Sequence, residues 1–95
     1  MREMDNSFPA TVNQATQWLL YYLSFKDKLR VAIKTEMELP ALKPSLGKFI
    51  KEEFALKSNF PLIESCRTLS NGKHLNSDDA SQIIIKEFWK QLKAP

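Results

Sequence analysis

Two adjacent carboxylates, Asp78 and Asp79, follow the single histidine, His74, within five residues of the chain. Carboxylate and imidazole groups hold divalent cations or transfer protons, so this trio suggests a metal site or an acid/base pair. A metal site, however, needs several ligands that converge on one point. No second cluster of ligands lies nearby in the sequence, so this polar site is one of two hypotheses.

The other hypothesis is structural, and we favour it. Asp78 and Asp79 fit the first turn of a helix predicted over about residues 78–92. Negative charge there is stabilising by about 0.3–1 kcal/mol for each carboxylate, because of the helix dipole. Asn76 or Ser77 can cap this helix.

Cys66 is the only cysteine, which excludes an internal disulfide and favours a reducing compartment. It falls on a predicted apolar helix face, where a thiol acts as a small hydrophobic group. A cysteine nucleophile needs an oriented base, and one cysteine with one histidine cannot form a four-ligand zinc site. The sequence therefore argues against most enzyme classes, and we predict no metal and no cofactor.

Lys26, Arg30 and Lys34 recur at a spacing of four, which places them on one helix face. Such a row could meet phosphates or an acidic protein surface, or it could be a solvated face. The net charge of +3 is mild for a dedicated DNA-binding domain. No RNA-binding pattern of interleaved aromatic and basic residues is present.

Aromatic residues are concentrated near the end of the first predicted helix. One narrow stripe cannot bury Trp18, Tyr21, Tyr22 and Phe25 together. Trp18 and Tyr21 are expected on a second face with Phe25, which is either wider core contact or an exposed patch for a partner.

These residues must be positioned by helices, because apolar residues recur at three-to-four-residue spacing. The fold predicted is an all-α, compact single-domain bundle of four to five short helices. An irregular lead-in over residues 1–9 precedes a single helical domain over 10–95. The expected helices cover about 11–23, 24–35, a stretch beginning near Pro44, a short stretch after Asn59, and 78–92. Their expected starts are Thr11 with Gln14 in a capping box, Ser24, Pro44, and Asn59 with Pro61.

Residues 31–39 carry conflicting signals. The apolar stripe Phe25, Leu29, Ala32 and Ile33 continues in helical phase, which favours a helix to about residue 35. Apolar and polar residues alternate over 31–39, which is a strand pattern. We favour the helix because no second convincing strand exists to pair with.

The chain shows no secretory signal and no apolar run of the roughly 20 residues that a membrane span needs. We therefore expect a cytoplasmic protein that does not enter a membrane.

The second half of the chain fits the sequence pattern LG..I...F.L..N..L...C followed by H...DDAS..I....W..L. The matching residues are Leu46-Gly47, Phe49-Ile50, Phe54, Leu56, Asn59, Leu62, Cys66, His74, Asp78-Asp79-Ala80-Ser81, Ile84 and Trp89, and the opening Pro9, Thr11, Ala15 and Leu19 also fits. The pattern resembles that of a small bacterial domain family of unknown function. The resemblance covers most of the chain and implies no established activity. It makes Asp78, Asp79 and Asn59 the first positions to mutate.

The chain departs from the resembled pattern at four positions. Lys51 and Glu52 replace an Arg-Asn pair, Ala55 replaces a glycine, and Lys57 replaces a tryptophan. A polar site built on these positions is therefore expected to be altered here.

The leading functional hypothesis is a non-catalytic interaction module that binds another protein or a second copy of itself. Its candidate partner-binding residues are Trp18, Tyr21, Lys26, Arg30 and Lys34. Nucleic-acid binding through the three cations is the alternative, and an enzyme that uses His74, Asp78 and Asp79 is the third reading.

Overall fold

The computed structural model describes residues 8–72 and 74–93, so most of the predicted lead-in over 1–9 lies outside the described residues. The described ranges contain helices and turns and no strand, which confirms the all-α fold. A 3-10 helix, Glu36–Leu42, and a π-helical turn, Lys43–Gly47, connect the second and third α-helices. The α-helices are α1 (Val12–Tyr22), α2 (Phe25–Ala32), α3 (Lys48–Glu53), α4 (Phe60–Leu69) and α5 (Ser77–Lys93).

The longest helix, α5, lies at the centre of the bundle and contacts every other helical segment. One side of it is buried along most of its length, and Leu92 near its end is half-buried. The Cα radius of gyration is 12.6 Å, close to the roughly 13 Å of a compact 100-residue domain. The fully buried residues of α5 are Ala80, Ser81, Ile84, Ile85 and Phe88.

Helix starts were predictable because they depend on local hydrogen bonds. The Thr11 hydroxyl accepts from the Gln14 amide, and Gln14 Oε1 accepts from the Ala10 amide at 2.8 Å. The Ser24 hydroxyl likewise accepts from the Asp27 amide at 3.1 Å. The caps at Thr11 and Ser24 are therefore confirmed. The predicted capping box is only half formed, because the Gln14 side chain accepts from the Ala10 amide and not from the Thr11 amide.

Asn59 caps α4 as predicted and also holds two other segments. Its Oδ1 accepts from the Leu62 amide at 3.3 Å. Its Nδ2 donates to the carbonyls of Phe54, at 2.9 Å, and Pro9, at 3.0 Å. One nearly buried side chain thus joins the start of the described chain, the turn after α3 and the start of α4.

Helix α2 ends at Ala32, so its predicted extension to about residue 35 is wrong, and so is the strand alternative for 31–39. The Lys34 carbonyl accepts a hydrogen bond from Trp89 Nε1 of α5 at 2.8 Å. Thr35 is extended, and its amide donates to Glu38 Oε1 at 2.8 Å, which begins the 3-10 helix. A tertiary contact followed by a new helix start therefore ends α2 early.

Most of the apolar stripe of α2 faces solvent and not the core. The residue that α2 buries is Val31. On the same inner side, the Lys28 ammonium donates to the Leu20 carbonyl of α1 at 3.0 Å, which fixes the rotation of this short helix. The stripe residues left exposed are Phe25 (77%), Leu29 (47%) and Ile33 (70%).

The apolar residues of α3 and of the segment that leads into it are only partly buried. Ile50 and Phe54 are fully buried, whereas Leu46 is half-buried and Phe49 is exposed. Leu46 and Phe49 instead border a cleft towards α2.

Ala55 follows α3 in the left-handed region, with φ +51°. This conformation costs an L-residue about 1–2 kcal/mol, whereas glycine adopts it freely. The physical requirement matches the glycine of the resembled pattern at this position.

We predict that Ala55→Gly raises the free energy of unfolding by about 1 kcal/mol, because it removes this backbone strain. The melting temperature should rise by about 4–8 °C, measured by circular dichroism. The control is Ala41→Gly in the 3-10 helix, which should lower stability by about 0.5–1 kcal/mol. If Ala55→Gly lowered stability as well, the claim that Ala55 is strained would be wrong.

Candidate functional site

The aromatic residues near the end of α1 divide into a packed part and an exposed part. The Trp18 ring meets Phe54 edge-on at a centroid distance of 5.2 Å and lies 4.6 Å from Tyr22. Trp18 is half-buried and packs against the core. Tyr21 is 79% exposed and meets the Tyr22 ring edge-on at 4.8 Å. Of the two candidate partner-binding residues on α1, Trp18 and Tyr21, Tyr21 is the more exposed.

Helix α2 presents two neighbouring rows to the surface, which we call the α2 surface. One row is apolar and the other is cationic, and both have a spacing of four residues. Each row runs along α2 and ends just beyond it, because Ile33 is the C-cap and the half-buried Lys34 follows it. Arg30 is paired with Asp27, with Nη1 and Oδ1 3.8 Å apart. The apolar row is Phe25, Leu29 and Ile33, and the cationic row is Lys26, Arg30 and Lys34.

A cleft of about 250 Å³ lies on the other side of the cationic row, between α2 and the segment that leads into α3. Asp27 and Arg30 border it, so the cations lie between two apolar regions. Its apolar lining is Leu23, Val31, Leu42, Leu46 and Phe49. A single apolar side chain of a partner would fit this space.

A second surface is formed by lysines around an open cavity of about 930 Å³, which we call the lysine cavity. Asp78, at the start of α5, lies in its wall. The Lys51 ammonium is 2.5 Å from Asp78 Oδ1, and the Lys43 ammonium is 4.0 Å from Asp78 Oδ2. The lining residues are Lys43, Pro44, Lys48, Lys51, Glu52, Ala55, Lys57, Ser58 and Asp78.

These lysines lower the pKa of Asp78. The largest cause is the hydrogen bond from Lys51, and the charges of Lys51, Lys43 and Lys57 act in the same direction. No local pattern in the sequence predicts this contact, because Lys51 and Asp78 are 27 residues apart.

Asp79 and His74 have different surroundings from Asp78. The Asp79 amide donates to Asn76 Oδ1 at 2.8 Å, so Asn76 caps α5 as predicted. His74 is exposed. Among residues 8–72 and 74–93, no three His, Cys, Asp or Glu side chains are grouped so as to hold a metal ion.

Cys66 is fully buried, and its Sγ lies 3.7 Å from the Ala80 carbonyl oxygen. Burial raises the pKa of the thiol to about 12. The neutral thiol therefore packs between α4 and α5 and is not a nucleophile.

The sequence matches no known protein family, no curated protein and no solved structure. The resemblance to a bacterial family of unknown function therefore stays a prediction. All four positions at which the chain departs from that pattern line the lysine cavity. No helix in the part of the chain that the structure describes has the length and apolar character to cross a membrane.

We predict that the Cys66 thiol does not react with a disulfide reagent in the native protein, because it is buried and protonated. The absorbance change after addition of such a reagent should correspond to no reacted thiol in the native protein and to one reacted thiol in urea. Rapid reaction of the native protein would contradict the buried position.

We predict that Asp78→Asn changes the pH dependence of stability. The folded-state pKa of Asp78 lies below the usual value for an aspartate, chiefly because Lys51 donates a hydrogen bond to the carboxylate. Its stabilising contribution is therefore present above the unfolded pKa and is lost as pH falls through the folded pKa. Urea unfolding from neutral pH down to about pH 2 should show a shallower acid decline in the variant.

The control for this measurement is Asp79→Asn, which removes one charge from the same helix turn but leaves the backbone hydrogen bond of Asp79 in place. An equal change in both variants would mean that the helix terminus, and not the contact with Lys51, is responsible.

Proposed function

We propose that this chain is a non-catalytic interaction module whose α2 surface binds an amphipathic helix of another protein that carries acidic residues. The observation that carries the proposal is the exposure of Phe25, Leu29 and Ile33 as a row beside cations. Of these cations, Lys26 and Arg30 are exposed and Lys34 is half-buried. A protein of this size rarely exposes a contiguous apolar row with a polar rim unless a partner covers it.

The shape of the surface suggests a helical partner. A helix laid along α2 could place apolar residues at one-turn intervals against the apolar row. Acidic residues on its adjacent face would then meet Lys26, Arg30 and Lys34, which supplies orientation and a faster association rate. The cleft beside Arg30 could receive one further apolar side chain.

A second copy of the chain fits this surface less well. In an antiparallel pair of α2 helices related by a two-fold axis, the cationic rows of both copies lie on the same side. Like charges would then face each other, which disfavours association. An acidic partner relieves this repulsion.

Nucleic acid also fits this surface less well. Phe25 is the one flat ring of the apolar row, since Leu29 and Ile33 offer none for base stacking. Asp27 already pairs with Arg30, which reduces the charge available to phosphates. We place the module in the cytoplasm, which the unpaired cysteine favours.

The test uses two designed peptides with the same apolar helix face, one flanked by glutamates and the other by lysines. We predict that the acidic peptide binds and the basic one does not, measured by fluorescence anisotropy. Phe25→Ser with Ile33→Ser should weaken binding by at least about tenfold, since two apolar anchors are lost. Arg30→Glu should weaken it by a similar factor through charge reversal.

The matched control is Phe60→Ser on α4, which removes an apolar side chain that is 72% exposed but lies outside the α2 surface. Its affinity should equal that of the unmodified chain. Equal binding of both peptides, or an equal loss in Phe60→Ser, would contradict the proposal. Concentration-dependent self-association that Phe25→Ser abolishes would assign the surface to a second copy instead.

A further inference from the structure

The lysine cavity gathers charges from three short segments of the chain and from the start of α5. Lys43 comes from the π-helical turn, Lys48 and Lys51 from α3, and Lys57 from the turn after α3. The left-handed residue Ala55 reverses the chain there. Because of this reversal, the segment after α3 lines the same cavity as α3.

The cavity has an excess of positive charge. Its lining contains four lysines and two carboxylates, Glu52 and Asp78, so the net charge of the lining is +2. Asp78 is the near counterion, since both Lys51 and Lys43 lie within 4.0 Å of it. Lys48 and Lys57 remain at the rim as exposed cations.

A phosphate monoester matches this balance. It carries a charge of about −1.5 to −2 at neutral pH and offers three strong acceptor oxygens. Its charge would offset the excess of the lining, and an incoming phosphate would compete with Asp78 for Lys51. Lysine is a common phosphate ligand, acting as a point charge with rotatable donors.

The remaining lining suits a small organic group. Pro44, Ala55 and the methylene stems of the lysines supply apolar surface beside the charges. The volume of about 930 Å³ lies within the range of cavities that hold small molecules.

We propose that the lysine cavity binds a small organic phosphate monoester, with Lys48, Lys51 and Lys57 holding the phosphate and Asp78 acting as the counterion that it displaces. This site is separate from the α2 surface and does not depend on the function proposed for it.

The test titrates the full chain with glycerol 3-phosphate, inorganic phosphate and sulfate at low salt and measures binding by isothermal calorimetry. Glycerol 3-phosphate should bind with a dissociation constant below about 1 mM and more tightly than either inorganic anion. Lys51→Gln and Lys48→Gln should each weaken binding by about tenfold, because each removes a charged donor. Asp78→Asn should strengthen it by about fivefold, because it removes a competing carboxylate.

Lys48→Gln is the safer variant, since Lys48 is exposed, whereas Lys51→Gln also breaks the contact with Asp78. Circular dichroism shows whether each variant folds. The matched control is Lys26→Gln, which makes the same charge change on the α2 surface and should alter affinity less than twofold.

Three outcomes would overturn the proposal. The first is the absence of glycerol 3-phosphate binding up to about 10 mM. The second is an equal loss in Lys26→Gln and Lys48→Gln, which would indicate attraction by net charge alone. The third is evidence for a different ligand. Either sulfate binds as tightly as glycerol 3-phosphate, or a short DNA duplex or a phosphopeptide binds more tightly and displaces the monoester.

Discussion

The burial of α5 is the constraint on which the rest of this structure depends. This helix has 17 residues, and its five buried residues form one broad face. The chain that must cover it is divided into helices of six to eleven residues. Because a short helix contributes little stability alone, each one is held by its contact with α5 and by hydrogen bonds at its ends.

Such hydrogen bonds determine which side of α2 faces the core. Lys28 bonds to the last turn of α1, and Trp89 of α5 bonds to the Lys34 carbonyl just after α2. Both contacts lie at the same inner side as Val31. With this rotation fixed, α2 gives α5 a narrow contact and leaves its apolar row outside, so the α2 surface is a consequence of how α5 is covered.

The local features of this fold could be predicted from the sequence, and the tertiary ones could not. The caps at Thr11, Ser24 and Asn59 depend on residues within three positions, so their side chains were sufficient evidence. Periodicity identified the stripe through Phe25 and Leu29, but an amphipathic stripe looks the same whether it faces a core or a partner. The contact between Lys51 and Asp78 joins two helices, and each residue alone resembles an ordinary helix-surface charge.

The cleft beside α2 and the lysine cavity share the segment from Leu42 to Phe49. Leu42, Leu46 and Phe49 face the cleft beside α2, whereas Lys43 and Lys48 face the lysine cavity. The π-helical turn widens the backbone here, and such turns often occur at functional sites. Because one segment forms a wall of both sites, a ligand in the cavity would affect a partner at α2 only if it favoured one position of this segment. Any such effect would be reciprocal, since a coupling free energy acts equally on both binding equilibria.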